Sequence, residues 1–243
     1  MSTPSKDYKA LLFDCYGTLI NWEGGMQNAL QPLLVQIRKQ NISRDDFFKQ
    51  LGSIETAIQT NEPTKLYPDV LAETYRQVAD HFKLQYTEDE AVDFGNSVPE
   101  WPAFPDSAKA LKRLQDSGLK LVILSNINND SFAASRKKLE KEGAVFDEVY
   151  TAQNIGSYKP SLNNFDYAIS HLQKDHGISK DEILIVANSK LHDIQPGHKV
   201  GLKGAWIDRA GGVMGVSAFT GVEPAWTYDS MREFADVIEK VRA

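Results

Sequence analysis

Apolar residues gather in four short runs, ALLFD (10–14), KLVILSN (120–126), EILIVAN (182–188) and KGAWIDR (203–209). Each is almost continuously hydrophobic and is bounded by polar or glycine-containing residues, the pattern of strands covered on both faces in a parallel sheet. DEVYTA (147–152) is a weaker fifth strand candidate. Between the runs the period changes to that of helices. In DSAKALKRLQDSG, Ala108, Leu111 and Leu114 recur every three residues, with Asp106 or Ser107 as N-cap and Gly118 as terminator. Phe165, Ile169 and Leu172 share a face ahead of Gly177, and Met231, Phe234, Val237, Ile238 and Val241 mark a C-terminal helix. Strand-helix alternation of this kind predicts an α/β fold with a doubly wound, Rossmann-like parallel sheet.

Residues 21–102 break the alternation. Met26, Leu30, Leu33 and Ile37 predict one helix, and Leu71, Tyr75, Val78 and Phe82 another, with no strand pattern between them. Turn signals flank the segment, NWEGG (21–25) on one side and VPEWPAFPD (98–106) on the other. The expected organisation is a core of residues 1–20 and 103–243, with a helical cap domain of 21–102 inserted after the first strand.

Composition narrows the function classes. A chain of 243 residues with 42% hydrophobic and 25% charged positions is an ordinary globular sequence able to bury a large core. Its net charge of −6, with no basic stripe, argues against a nucleic-acid partner. The densest basic patch, SRKKLEKE (135–142), alternates with acids and reads as a solvated helix face. A lone cysteine, Cys15, cannot form an internal disulfide and reads as a small buried apolar residue. No apolar run approaches the ~20 residues of a membrane span, and MSTPSKDYKA lacks the apolar core of a signal peptide. The expectation is a cytoplasmic protein with a small-molecule substrate, no nucleic-acid or membrane partner, and the option of a homodimer. P-loop, HExxH and CxxC patterns are absent, and GGVMG (211–215) reads as a surface loop.

The strand ends carry the chemistry. In an open α/β sheet, ligands bind beyond the carboxyl ends of the strands. There the chain supplies Asp14 and Thr18 after the first strand, Ser125 and Asn126 after the second, and Asn188, Ser189 and Asp193 after EILIVAN. Lys159 lies in GSYKPSLNNF, in a loop before a helix. A lysine and several hydrogen-bond donors are the surroundings that keep a carboxylate such as Asp14 ionised.

In this order the motifs resemble the haloacid dehalogenase superfamily, whose Rossmann-like core carries a cap after the first strand. FDCYGTL resembles its first motif, LSN (124–126) its second, Lys159 in YKP its third, and VANSKLHD, ending at Asp193, its fourth. Phosphatases of that superfamily carry a second aspartate two residues after the nucleophile and two acids in the fourth motif. Here those positions hold Tyr16 and Asn188. Phosphoryl transfer needs a cation for the transferring oxygens and an acid for the leaving group. A halide leaving carbon needs no proton.

The resemblance is therefore to the 2-haloacid dehalogenase branch. It implies Asp14 as nucleophile forming an ester, Lys159 holding Asp14 ionised, Asp193 orienting or activating water, and Thr18 as a positioning group. Ser125, Asn126, Asn188, Ser189 and Tyr16 would contact substrate, with no metal or other cofactor. The cap arginine expected in that branch has no clear match in SRDDFFKQLGSIETA, where Arg44 reads as a surface residue, and His192 adjoins Asp193. Two other readings stay open: a hydrolase of the same fold acting on another electrophile, including a phosphatase with Mg²⁺ on Asn188 and Asp193, and a non-catalytic binding protein.

Overall fold

The structure, a computed structural model, describes residues 3–209 and 221–243; GGVMG lies outside the described residues. Six parallel strands form one sheet: β1 (Ala10–Phe13), β2 (Lys120–Ser125), β3 (Glu148–Thr151), β4 (Ile183–Ala187), β5 (Lys203–Ile207) and β6 (Trp226–Tyr228), in the order β3-β2-β1-β4-β5-β6. The weak candidate at 147–152 is the strand β3, and β6 is an edge strand too short to show a period in sequence. β1 is central, with Phe13 in register with Ile123 on one side and Val186 on the other. The chain therefore leaves the sheet at Asp14 beside the ends of both neighbours, where strand order reverses.

Alternation along the strands divides the core in two. Leu11, Phe13, Leu121, Ile123, Leu184 and Val186 face a cluster shared with α6 (Ser107–Asp116), α11 (Met231–Arg242) and the cap. Ala10, Leu12, Val122, Leu124, Ile183 and Ile185 face Phe165, Ala168 and Leu172 of α9 (Leu162–His176). The remaining core helices are α7 (Asn129–Leu139), the short α8 (Ala152–Ile155) and α10 (Gln195–Lys199). Among the described residues no helix is long and apolar enough to cross a membrane.

Between β1 and β2 lie the helices of the cap: α1 (Trp22–Ala29), α2 (Gln31–Lys39), α3 (Arg44–Asn61), α4 (Tyr67–His81) and α5 (Glu88–Gly95). The single helix expected from Met26 to Ile37 is two helices that meet at Leu30. Pro32, in the first turn of α2, has no N–H to continue a ladder from α1. α3 is capped by Ser43, whose side chain accepts from the Asp46 N–H, and buries Phe47, Phe48, Leu51, Ile54 and Ile58. α5 starts at a capping box between Thr87 and Glu90.

Two antiparallel linkers join cap to core. Ile20 bridges Ala103, the Asn21 N–H donates to the Pro102 carbonyl (2.7 Å), and the Phe104 N–H (3.0 Å) and Ser107 Oγ (2.8 Å) both donate to the Leu19 carbonyl. The patch at 135–142 is less solvated than its charge pattern implied. Lys138 donates to the Pro99 and Trp101 carbonyls of the second linker, and Ser135 is buried.

Candidate active site

The loop after β1 is built to present Asp14. Gly17 sits at φ +94°, a backbone conformation that a side chain would strain. The turn closes through Leu19 and Ile20 N–H groups on the Cys15 carbonyl (2.8 and 2.9 Å). Within it the Thr18 hydroxyl, fully buried, donates to Asp14 Oδ2 at 2.7 Å and accepts the Asn188 N–H at 2.9 Å. Thr18 thereby ties the Asp14 loop to the end of β4. Cys15 packs in the core, and burial followed by the Asp14 charge pushes its thiol well above its ordinary range.

Lys159, 2% exposed, reaches in from the loop before α9. Its ammonium donates to Asp14 Oδ1 (3.0 Å), Asp193 Oδ1 (2.6 Å) and the Leu124 carbonyl (2.7 Å), which satisfies all three protons. Burial alone would lower its pKa; the two carboxylates more than offset this and hold it above the ordinary lysine value. Asp193 lies on a π-helical turn at Lys190–Ile194. Its Oδ2 is buried with no hydrogen-bond partner among the described residues. Burial is the main reason its carboxyl is pushed up to about 7; Lys159 opposes the rise and Asp14 adds to it.

The other expected residues divide by what they touch. Ser125 Oγ is buried at the end of β2 with no partner among the described residues. Asn126 is engaged with the Lys159 main chain, donating to its carbonyl (3.0 Å) and accepting its N–H (2.7 Å). The Tyr16 hydroxyl pairs with Ser135 Oγ (2.9 Å), its ring packs edge-on against Trp101, and burial drives its pKa well upward. Asn188 donates from its side chain to the Ile207 carbonyl (2.8 Å). Ser189 caps the π-helical turn, accepting the His192 N–H at 3.0 Å and meeting His192 Nδ1 at 3.1 Å. Burial, then Lys159, lowers His192 to about 4, so the imidazole is neutral at pH 7. Arg44 is exposed over the Phe48 ring, away from this constellation of contacts.

A divalent cation on Asp14 Oδ1 and Asp193 Oδ1 would have to displace the ammonium already between them. Among the described residues no group of three or more His, Cys, Asp or Glu side chains is placed to hold a metal. Sequence reasoning missed Arg209, two residues past β5, whose guanidinium donates to the Thr18 carbonyl through Nε (3.0 Å) and Nη2 (2.7 Å).

The family model for haloacid dehalogenase-like hydrolases matches residues 11–207. The chain is 30% identical over 116 residues to the (S)-2-haloacid dehalogenase 4A of Burkholderia cepacia, covering 48% of each chain, so it spans about half of that relative's length. It is 26% identical over 199 residues to the phosphoglycolate phosphatase of Aquifex aeolicus, covering 81% of this chain and 83% of the other. The solved structure of the L-2-haloacid dehalogenase RSc1362 superposes with a TM-score of 0.76 at 21% identity, over 99% of this chain and all of that one. At that identity the likeness establishes the fold.

Proposed function

Since this chain belongs to the haloacid dehalogenase-like hydrolases, we propose that it hydrolyses the carbon–halogen bond of small 2-haloalkanoates without a metal, through an ester on Asp14. The observation that carries this reading is the surroundings of Asp14. Its carboxylate has a hydroxyl on one oxygen and an ammonium on the other, and its own loop offers no second carboxylic acid. The position two residues on is Tyr16, whose phenol is tied to Ser135 and held well above the range in which it could protonate a leaving group at neutral pH. Such a site suits a leaving group that departs as a stable anion.

In the first step an Asp14 carboxylate oxygen attacks the halogen-bearing carbon; the C–O bond forms as the carbon–halogen bond breaks, and halide leaves with the electron pair. Lys159 and Thr18 orient the carboxylate, and Ser125 Oγ, buried and unpartnered, donates to the substrate carboxylate. In the second step water adds to the ester carbonyl of Asp14, giving its proton to Asp193. A group with its pKa near 7 suits a general base at neutral pH. The tetrahedral oxyanion is stabilised by the Lys159 ammonium. As this intermediate collapses, the C–O bond of the ester breaks and the departing alkoxide takes the proton back from Asp193 to become the 2-hydroxy acid. Loss of the remaining water proton to solvent restores the Asp14 carboxylate. Net, haloacid and water give hydroxy acid, halide and a proton. The names of the Burkholderia relative and of the superposed structure support the reaction class.

The test is halide release from (S)-2-chloropropionate in excess EDTA, with Asp14→Asn as control. Release by the wild type alone is expected. Turnover of phosphate esters abolished by chelation, with no halide release, would overturn the proposal in favour of phosphoryl transfer.

A further inference from the structure

Arg209 connects three pieces of chain that the sequence keeps far apart. Nε and Nη2 both donate to the Thr18 carbonyl and fill its two lone pairs. Nη1 meets both oxygens of Asp106 (2.8 and 3.1 Å), and Nη2 also reaches Ser107 Oγ (3.4 Å). The guanidinium plane lies over the Phe104 ring, 4.1 Å from its centroid. Its partners are thus the residue that orients Asp14 and the second linker of the cap. A planar fork with fixed donor directions suits this division, whereas an ammonium would provide a single point charge.

We propose that Arg209 is a positioning residue for the nucleophile. It fixes the main chain at Thr18 so that the Thr18 hydroxyl keeps Asp14 aligned, and it anchors the cap's second linker at the same point. The inference rests on reading Asp14 as the nucleophile. Arg209 does not touch the reacting atoms; it acts through Thr18. The alternative is an arginine that only staples the core to residues 104–107 through Asp106 and Phe104, in which case the alignment of Asp14 would not depend on it.

The deciding experiment is a double-mutant cycle on halide release with Arg209→Gln, Thr18→Val and both together. If Arg209 acts through Thr18, Arg209→Gln lowers kcat by about 100-fold, as for reacting groups misplaced by about 1 Å, with KM within about threefold. The double variant is then no slower than Thr18→Val. Additive losses, or wild-type kcat in Arg209→Gln, would overturn the assignment. If that variant does not fold, Arg209→Lys carries the comparison, since it keeps the charge opposite Asp106 but cannot donate twice to the Thr18 carbonyl. Should the wild type release no halide, the proposed function fails by itself. Arg209 is then judged by amide exchange at Leu19 and Ile20, which Arg209→Gln is expected to accelerate about tenfold. Unchanged exchange there would overturn the positioning role.

Discussion

At the residue scale, the chemistry concentrates in one cation shared by two carboxylates. Lys159 is buried and makes three hydrogen bonds, so Lys159→Met leaves Asp14 and Asp193 without a counter-ion. Breaking a buried pair in this way costs about 3–5 kcal/mol. In a chain of this size that is a fall in Tm of roughly 10 °C, measured by calorimetry at pH 8 and expected to be smaller at pH 5, where a proton can replace the ammonium. Asp193 gives a second prediction. Its folded-state value, about 7, lies above the ~3.9 of an unfolded aspartate, so between those values the folded chain binds more protons than the unfolded one. Stability linked to this group is therefore present at low pH and falls as pH rises from about 4 to 7. Asp193→Asn should flatten that slope in Tm measured from pH 4.5 to 8; an unchanged slope would assign it to another group. In single turnover, ester hydrolysis by the wild type should accelerate as pH passes through about 7, and Asp193→Asn should lose this limb. Asp14→Asn should lower halide release by at least about a thousandfold, the scale of removing a nucleophile.

At the scale of elements, legibility in the sequence followed the regularity of the pattern. Asp14, Ser125 and Asn188 could be placed together because each ends or follows an apolar run, and a parallel sheet aligns such ends; the register of β1 with β2 and β4 is that alignment. The cap was harder to read. α3 and α5 were missed, and the break at Leu30 was hidden because Met26, Leu30, Leu33 and Ile37 keep helical spacing across it. Arg209 was unreadable for a different reason. Its partners, Thr18 and Asp106, lie 191 and 103 residues away, and no local period encodes such a contact. Within the cap, α4 and α5 approach so closely at Gly95 that an added Cβ would collide with the Pro68 carbonyl. Backbone cannot yield as a flexible side chain can. Gly95→Ala is expected to cost about 1–3 kcal/mol, read as a lower denaturation midpoint with an unchanged m-value.

For the whole molecule, the question is how independently cap and core behave. A single buried apolar cluster runs from Met26, Leu30 and Tyr75 through Trp101 to Phe13, Leu121 and Val186. The polar ties run the same way. Ser107 and Phe104 hold Leu19, Lys138 holds the second linker, and the Tyr158 hydroxyl, one residue from Lys159, donates to the Lys65 carbonyl of the cap (2.6 Å). Surfaces that share a core lose their stabilising contacts together, so cap and core are expected to unfold in one cooperative step. Tryptophan reporters suit the measurement, since Trp101 is buried at the second linker and Trp206 lies on β5 with its indole N–H on the Asn188 carbonyl (2.6 Å). Urea curves from variants retaining only Trp101 or only Trp206 should superimpose on each other and on the far-ultraviolet circular dichroism curve. An earlier Trp101 transition would mean that the cap opens as its own unit. The linkers, together with Arg209 at their base, would then be the point at which that motion reaches Asp14.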